Sequence, residues 1–299
     1  MKTRDIRIRD PFILTDREEG CYYMYGTNGA ETFSPGGGFQ VKNSFWAYRS
    51  RDLESWEDPV PVFIPPDGFW ADRDFWAPEV HRYRGRYYLF ASFKSSAACR
   101  GTQIFVSDRP DGPFLLHSDG PVTPREWECL DGTLYLSPQG QPFIVFCHEW
   151  LQIGSGTICS LPLSEDLRAP AGEPVTLFSA ADPSWALPDQ ASYVTDGPFL
   201  HRCQNGELLM LWSSFAGAYL EAVSRSRSGE LTGVWEHDHL LFEEDGGHGM
   251  LFYGLSGQLY IALHQPNAAP LERARFYQVL EETEDGRTFL RLGALLQRA

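Results

Sequence analysis

Helical periodicity is almost missing from this sequence, as are several features that would announce a function class. No apolar run approaches the roughly 18 residues that span a membrane, so no membrane partner is expected. Positive charge is scarce: 25 Lys and Arg stand against 40 Asp and Glu, for a net charge of −15. A nucleic-acid partner is excluded on that ground, because no basic stripe exists to release counterions. The charge mainly confers solubility. The N-terminus, MKTRDIRIRD, has basic residues but no apolar h-region. No secretory signal is read there, and a cytoplasmic location is expected. None of the six cysteines, Cys21, Cys99, Cys129, Cys147, Cys159 and Cys203, belongs to a CxxC pair. They read as buried thiols of a reducing compartment rather than as a zinc site or a disulfide framework. No linker, low-complexity segment or shift of composition divides the chain, so residues 1–299 are expected to form a single domain.

What is present is aromatic and repetitive. Hydrophobic residues make up 42% of the 299 residues and aromatics 14%, including nine Trp and 20 Phe. A short apolar strand recurs, often opened by a turn glycine: CYYMYGT at 21–27, RYYLFAS at 86–92, QPFIVFCH at 141–148, ELLMLWSS at 207–214 and QLYIALH at 258–264. Before each lies a second strand with a matching head: Asp10-Pro-Phe-Ile-Leu, Ala77-Pro-Glu-Val, Asp131-Gly-Thr-Leu-Tyr, Asp196-Gly-Pro-Phe-Leu and His248-Gly-Met-Leu-Phe. A third pattern of strand, polar turn and outer strand follows in most repeats, as in AYRSRDLESW at 47–56, IFVSDRPDGPF at 104–114 and AVSRSRSGELTGVW at 222–235, with a weaker version in ICSLPLSEDL at 158–167. Units of this kind cannot bury two sheet faces alone, but arranged radially they cover each other. The predicted fold is all-β, a single five-bladed β-propeller.

In such a blade the first strand lines the central channel and the second runs antiparallel to it. The start of the first and the end of the second therefore share one face. That places Asp10, Asp131 and Asp196, read as equivalent repeat positions, at one mouth of the channel. Around them the second-strand ends form a rim: Thr27 and Asn28, Ser92 and Phe93, His148, Glu149 and Trp150, Ser213, Ser214 and Phe215, and His264 and Gln265. An Asp before Gly or Pro is often only a turn residue; three at matching positions point to chemistry. Glycoside hydrolysis needs a carboxylic acid to protonate the leaving oxygen and a carboxylate to activate water. A third carboxylate can raise the pKa of the acid.

RDPFIL at 9–14, FWAPEV at 75–80, WECLDGTLY at 127–135 and TDGPFL at 195–200 occur in order, one per repeat. Together they resemble family 43 glycoside hydrolases, five-bladed propellers acting on arabinose- and xylose-containing glycans. The resemblance implies an inverting glycosidase whose partner is a small oligosaccharide or glycan. Asp10 matches its general base and Asp131 the residue that orients the acid and modulates its pKa. Asp196 stands where the general acid belongs, although that acid is commonly Glu; Glu149 and Glu221 are the substitutes. The resemblance also places His248 near a calcium ion or water cluster in the channel, with no cofactor required, and Trp76 and Pro78 in the sugar-binding wall. Glu79 reads as a buried structural group, and His148 and Trp150 as subsite residues. A propeller phosphorylase would need a cationic cluster to hold phosphate, for which Arg9 and Arg100 are the nearest candidates. A non-catalytic sugar-binding propeller is the other alternative. A retaining sucrose-type hydrolase is disfavoured by the missing WMNDPNG-like opening.

Overall fold

The computed structural model describes residues 1–27, 43–188 and 190–296. Five four-stranded antiparallel sheets account for nearly all of the regular structure. Blade one comprises β1 (Arg9–Asp16), β2 (Cys21–Thr27), β3 (Phe45–Ser50) and β4 (Val60–Phe63). Blade two comprises β5 (Arg73–Tyr83), β6 (Arg86–Lys94), β7 (Gly101–Ser107) and β8 (Leu115–Leu116). Blade three comprises β9 (Cys129–Leu136), β10 (Pro142–His148), β11 (Thr157–Pro162) and β12 (Val175–Ser179). Blade four comprises β13 (Asp196–Arg202), β14 (Leu208–Phe215), β15 (Tyr219–Ser226) and β16 (Trp235–Phe242). Blade five comprises β17 (Gly247–Tyr253), β18 (Leu259–Gln265), β19 (Arg273–Glu284) and β20 (Arg287–Leu295). A short helix, α1 (Trp150–Ile153), lies between β10 and β11 of blade three, and a 3-10 turn spans Thr3–Asp5. No helix among the described residues is long and apolar enough to cross a membrane.

The innermost strands touch in the order β1, β5, β9, β13, β17 and back to β1, which closes the ring. Sheets covered on both faces need continuous apolar runs instead of alternation, and β2 and β7 are buried at every residue. The outermost strands face solvent on one side, and Leu115 and Leu116 of β8 are exposed. Each blade carries a positive-φ glycine in the hairpin joining its first two strands: Gly20, Gly85, Gly140, Gly206 and Gly257. That is the turn glycine seen in the repeat, in a conformation that only glycine adopts freely. The N-terminal segment clasps the seam between the last blade and the first. Thr3 N–H donates to Glu54 O at 3.0 Å, and the Arg273 guanidinium donates to Arg4 O at 2.8 Å.

Candidate active site

Each first strand enters the channel through a bulge, where two residues face one on the partner strand. The bulge residue takes a left-handed backbone in every blade: Asp10 (φ 52°), Ala77 (φ 44°), Asp131 (φ 55°), Gly197 (φ 51°) and His248 (φ 53°). Positive φ is uncommon outside glycine, and such strain gathers at functional sites. Gly197 is required twice over, because a Cβ there would lie 2.7 Å from the His248 ring.

This pattern corrects the repeat alignment in blade four. Gly197, not Asp196, is the counterpart of Asp10; Pro198 then falls opposite Pro11, a signal already present in the sequence. Asp196 pairs across the sheet with Ser213, as Arg9 pairs with Thr27 and Trp76 with Ser92. The three carboxylates still converge. Asp10, Asp131 and Asp196 line a single cavity of about 690 Å³ with Trp76 and His248, within the range of small-ligand sites.

A ring of hydrogen bonds between blades positions these side chains. A bulge frees a backbone N–H, and the second strand of the preceding blade accepts it. Ala77 N–H donates to Thr27 Oγ1 at 2.7 Å, Asp131 N–H to Ser92 Oγ at 2.8 Å and His248 N–H to Ser213 Oγ at 2.6 Å. Asp10 N–H donates to His264 Nδ1 at 3.3 Å. In blade three the matching residue is Cys147, which pairs with Leu130. A thiol is a weak acceptor, and here Gly197 N–H donates to Asp131 Oδ2 at 3.0 Å instead. The orientation of Asp131 follows from that exchange.

The carboxylates differ electrostatically. Burial works against ionisation of Asp10, yet His248, Arg9, His264 and the Thr27 hydroxyl together hold its pKa below the ordinary value. Thr27 Oγ1 donates to Asp10 Oδ2 at 2.6 Å, and His248 Nδ1 lies 3.2 Å from Asp10 Oδ1. Asp196 is raised to about 6, by burial first and by the charge of Asp10, although Tyr219 donates to its Oδ2 at 3.1 Å. Asp131 is raised to about 7, also by burial first. Both line the cavity, Asp131 as the more buried of the two and Asp196 as the more open. Burial opposes the charge on His248, but Asp10, Asp131 and Asp196 outweigh it and raise the imidazole to about 9. His264 is lowered to about 4 by burial, so its neutral Nδ1 is free to accept the Asp10 amide.

Several rim residues lie elsewhere. Side chains alternate along a strand, and the channel-facing positions are Thr27, Ser92, Cys147, Ser213 and His264. Phe93, His148 and Ser214 come one residue later and face away. Phe93 is fully buried between blades, with Phe75 at 4.8 Å and Phe45 at 5.7 Å between ring centroids. His148 stacks on Trp127 at 4.3 Å, and Ser214 donates to Val194 O at 2.7 Å. Trp150 opens α1 outside the cavity lining. Glu149 is buried against Arg100, with Oε2 3.4 Å from Nε. Glu221 has no exposure and accepts from Ser213 Oγ and Gly249 N–H. Neither glutamate reaches the cavity. Asn28 lies outside the described residues.

Sequence reasoning did not single out Tyr219, which sits mid-sheet with no motif around it, or the cavity-lining Asp72, Asp74 and Glu272. Nor did it foresee how Trp76 is held. The Arg100 guanidinium packs 4.0 Å from the centre of its ring and pairs with Asp74 at 3.0 Å.

The calcium expectation does not fit these residues. Ca²⁺ takes about six to eight oxygen ligands. The small cavity beneath His248 offers the carboxylates of Asp10 and Glu79, and both are already engaged, Glu79 with His81 Nε2 at 2.8 Å.

A closed five-bladed propeller with several carboxylates in its mouth has the groups that glycoside cleavage needs. The chain belongs to glycosyl hydrolases family 43, whose family model matches residues 5–288. An endo-arabinase from Bacteroides thetaiotaomicron superposes with a TM-score of 0.85 at 38% identity, over 96% of this chain and 98% of that one. An extracellular exo-alpha-(1->5)-L-arabinofuranosidase of Cellvibrio japonicus is 24% identical over 89% of this chain and 81% of its own length. An extracellular endo-alpha-(1->5)-L-arabinanase of Bacillus subtilis is 22% identical over 48% of this chain, and the match spans only 44% of that enzyme. Both of the latter are named as extracellular, so the cytoplasmic location read from the N-terminus does not stand.

Proposed function

We propose that this glycosidase hydrolyses α-L-arabinofuranosyl linkages of arabinan-type glycans with inversion, using Asp10 as base and Asp196 as acid. The observation that carries the chemistry is the opposed pKa of two carboxylates lining one cavity. Separated pKa values mark acid and base assignments. Asp10, kept ionised, takes a proton from water as the water oxygen attacks the anomeric carbon. Asp196, kept protonated, gives its proton to the departing glycosidic oxygen as the C–O bond breaks. Asp10 ends protonated and Asp196 ionised, and exchange with solvent restores both. Asp131 is held by Gly197 N–H, and burial together with the charges of Asp196 and Asp10 opposes its ionisation. At position 196, Asp is shorter than the Glu common in the acid's role.

The substrate class is supported by the 38% identity, over nearly the whole chain, to the endo-arabinase. Xylosidic bonds are the second reading, because matched relatives include enzymes named xylosidase/arabinosidase. A phosphorylase is disfavoured by charge. The cavity holds Arg7 and Arg9, but both pair with Glu272, at 3.5 and 3.4 Å, while Asp10, Asp72, Asp74, Asp131 and Asp196 also line it. An incoming phosphate would meet an excess of negative charge.

The test is digestion of linear arabinan, xylan and nitrophenyl glycosides, with the anomer first formed identified by NMR. Cleavage of arabinan to an inverted product is expected. A retained product would refute the mechanism, and activity confined to xylan would refute the substrate.

A further inference from the structure

The sequence offers no zinc motif, yet the fold assembles three metal-binding side chains at the seam between blades four and five. His201 lies near the end of β13 and Cys203 directly after it. Two residues apart in extended chain, they share one face. That face meets Glu281, which β19 contributes from the next blade. One ligand atom from each of the three lies within 4.8 Å of the others. His201 and Cys203 are buried and Glu281 nearly so. The carboxylate is already oriented: Oε1 meets His201 Nε2 at 2.6 Å, and Oε2 accepts Gln204 N–H at 3.1 Å.

We infer that His201, Cys203 and Glu281 form a binding site for Zn²⁺, with the fourth position open to water. Thiolate, imidazole and carboxylate together suit zinc over calcium or magnesium, which take oxygen ligands. Tetrahedral zinc with bonds of about 2.0–2.3 Å holds its ligand atoms roughly 3.2–3.8 Å apart. The His201–Glu281 pair therefore opens by less than about 1 Å on binding, and the Cys203 thiol closes in as it gives up its proton to solvent. The ion would tie blade four to blade five. Asp196 and Cys203 bracket β13, seven residues apart in extended chain, roughly 23 Å, so the site is separate from the cavity and independent of the proposed hydrolysis.

Co²⁺ serves as the optical probe, because a thiolate ligand gives it a near-ultraviolet charge-transfer band. Titration of chelator-treated protein should develop that band to one equivalent per chain, and Zn²⁺ should abolish it by displacement. Zn²⁺ should raise the Tm, since a ligand that binds only the folded state stabilises it. Cys203→Ser should remove the band and the Tm response. Glu281→Gln, an isosteric change that keeps the fold if the serine variant does not, should weaken Co²⁺ binding at least about tenfold. Absence of a thiolate band in the wild-type chain would overturn the assignment. So would a band that survives Cys203→Ser, or a Co²⁺ affinity unchanged in Glu281→Gln.

Discussion

Tyr219→Phe isolates the proton on Asp196. The Tyr219 hydroxyl donates to Asp196 Oδ2 at 3.1 Å, and the bond favours the ionised carboxylate. The phenol is buried and its ring stacks on His264 at 5.5 Å, a contact that Phe retains. A hydrogen bond to a charged group contributes about 1.5–3 kcal/mol. Part of it survives when the carboxyl is protonated, and the bond is not short. A differential near 1 kcal/mol follows, which is roughly 0.7 of a pKa unit. Asp196 must be protonated to act, so activity falls as pH rises through its pKa, near 6. Removing the hydroxyl should move this alkaline limb of kcat/KM upward by about half to one unit. The acidic limb belongs to Asp10, which must be ionised, and should stay in place. The assay is kcat/KM on arabinan-derived oligosaccharide across pH 4–9. An alkaline limb that does not move, or moves down, would refute Asp196 as the group that loses the proton.

The two carboxylates can be separated by leaving group. Asp196→Ala should lower hydrolysis of natural substrate by about a hundred- to ten-thousandfold yet spare much of the activity on dinitrophenyl glycosides, whose leaving group needs no proton; Asp10→Ala should abolish both, and equal loss in both assays with Asp196→Ala would count against the assignment. Glu221 is raised to about 8 by burial, so between pH 4.5 and 8 the folded chain binds a proton that the unfolded chain has released, and stability falls as pH rises. Glu221→Gln keeps the acceptor for Ser213 and Gly249 and should flatten that slope, gaining on the order of a few kcal/mol at pH 8 in denaturant titrations while activity persists; loss of activity with the fold intact would restore Glu221 as a candidate acid. Phe93→Ala should cost about 3–5 kcal/mol of stability and leave KM unchanged, whereas a selective rise in KM would return Phe93 to the sugar site.

Much was legible in the chain before folding. Strand runs, turn glycines and matching heads recur because each blade solves the same burial problem, so five copies of one pattern imply a ring. The heads also carried Asp10 and Asp131, since a strand start repeated in each blade must face the same channel mouth. What the chain could not show is parity and long-range pairing. Nothing local says whether Ser92 or Phe93, Ser213 or Ser214, faces the channel, because an alternating strand reads the same in either phase; the bulges set that phase. Those same bulges put Gly197, not Asp196, in the strained position, a one-residue offset that the match of Pro198 to Pro11 signals in the chain and that the backbone geometry fixes. Tyr219, Arg100 and Glu272 act on the cavity from distant segments, and His201, Cys203 and Glu281 meet only because blade five closes against blade four. The pKa values that separate Asp10 from Asp196 arise in the same way. They depend on burial and on His248, Arg9 and Tyr219, whose distances to the carboxylates exist only in the folded ring.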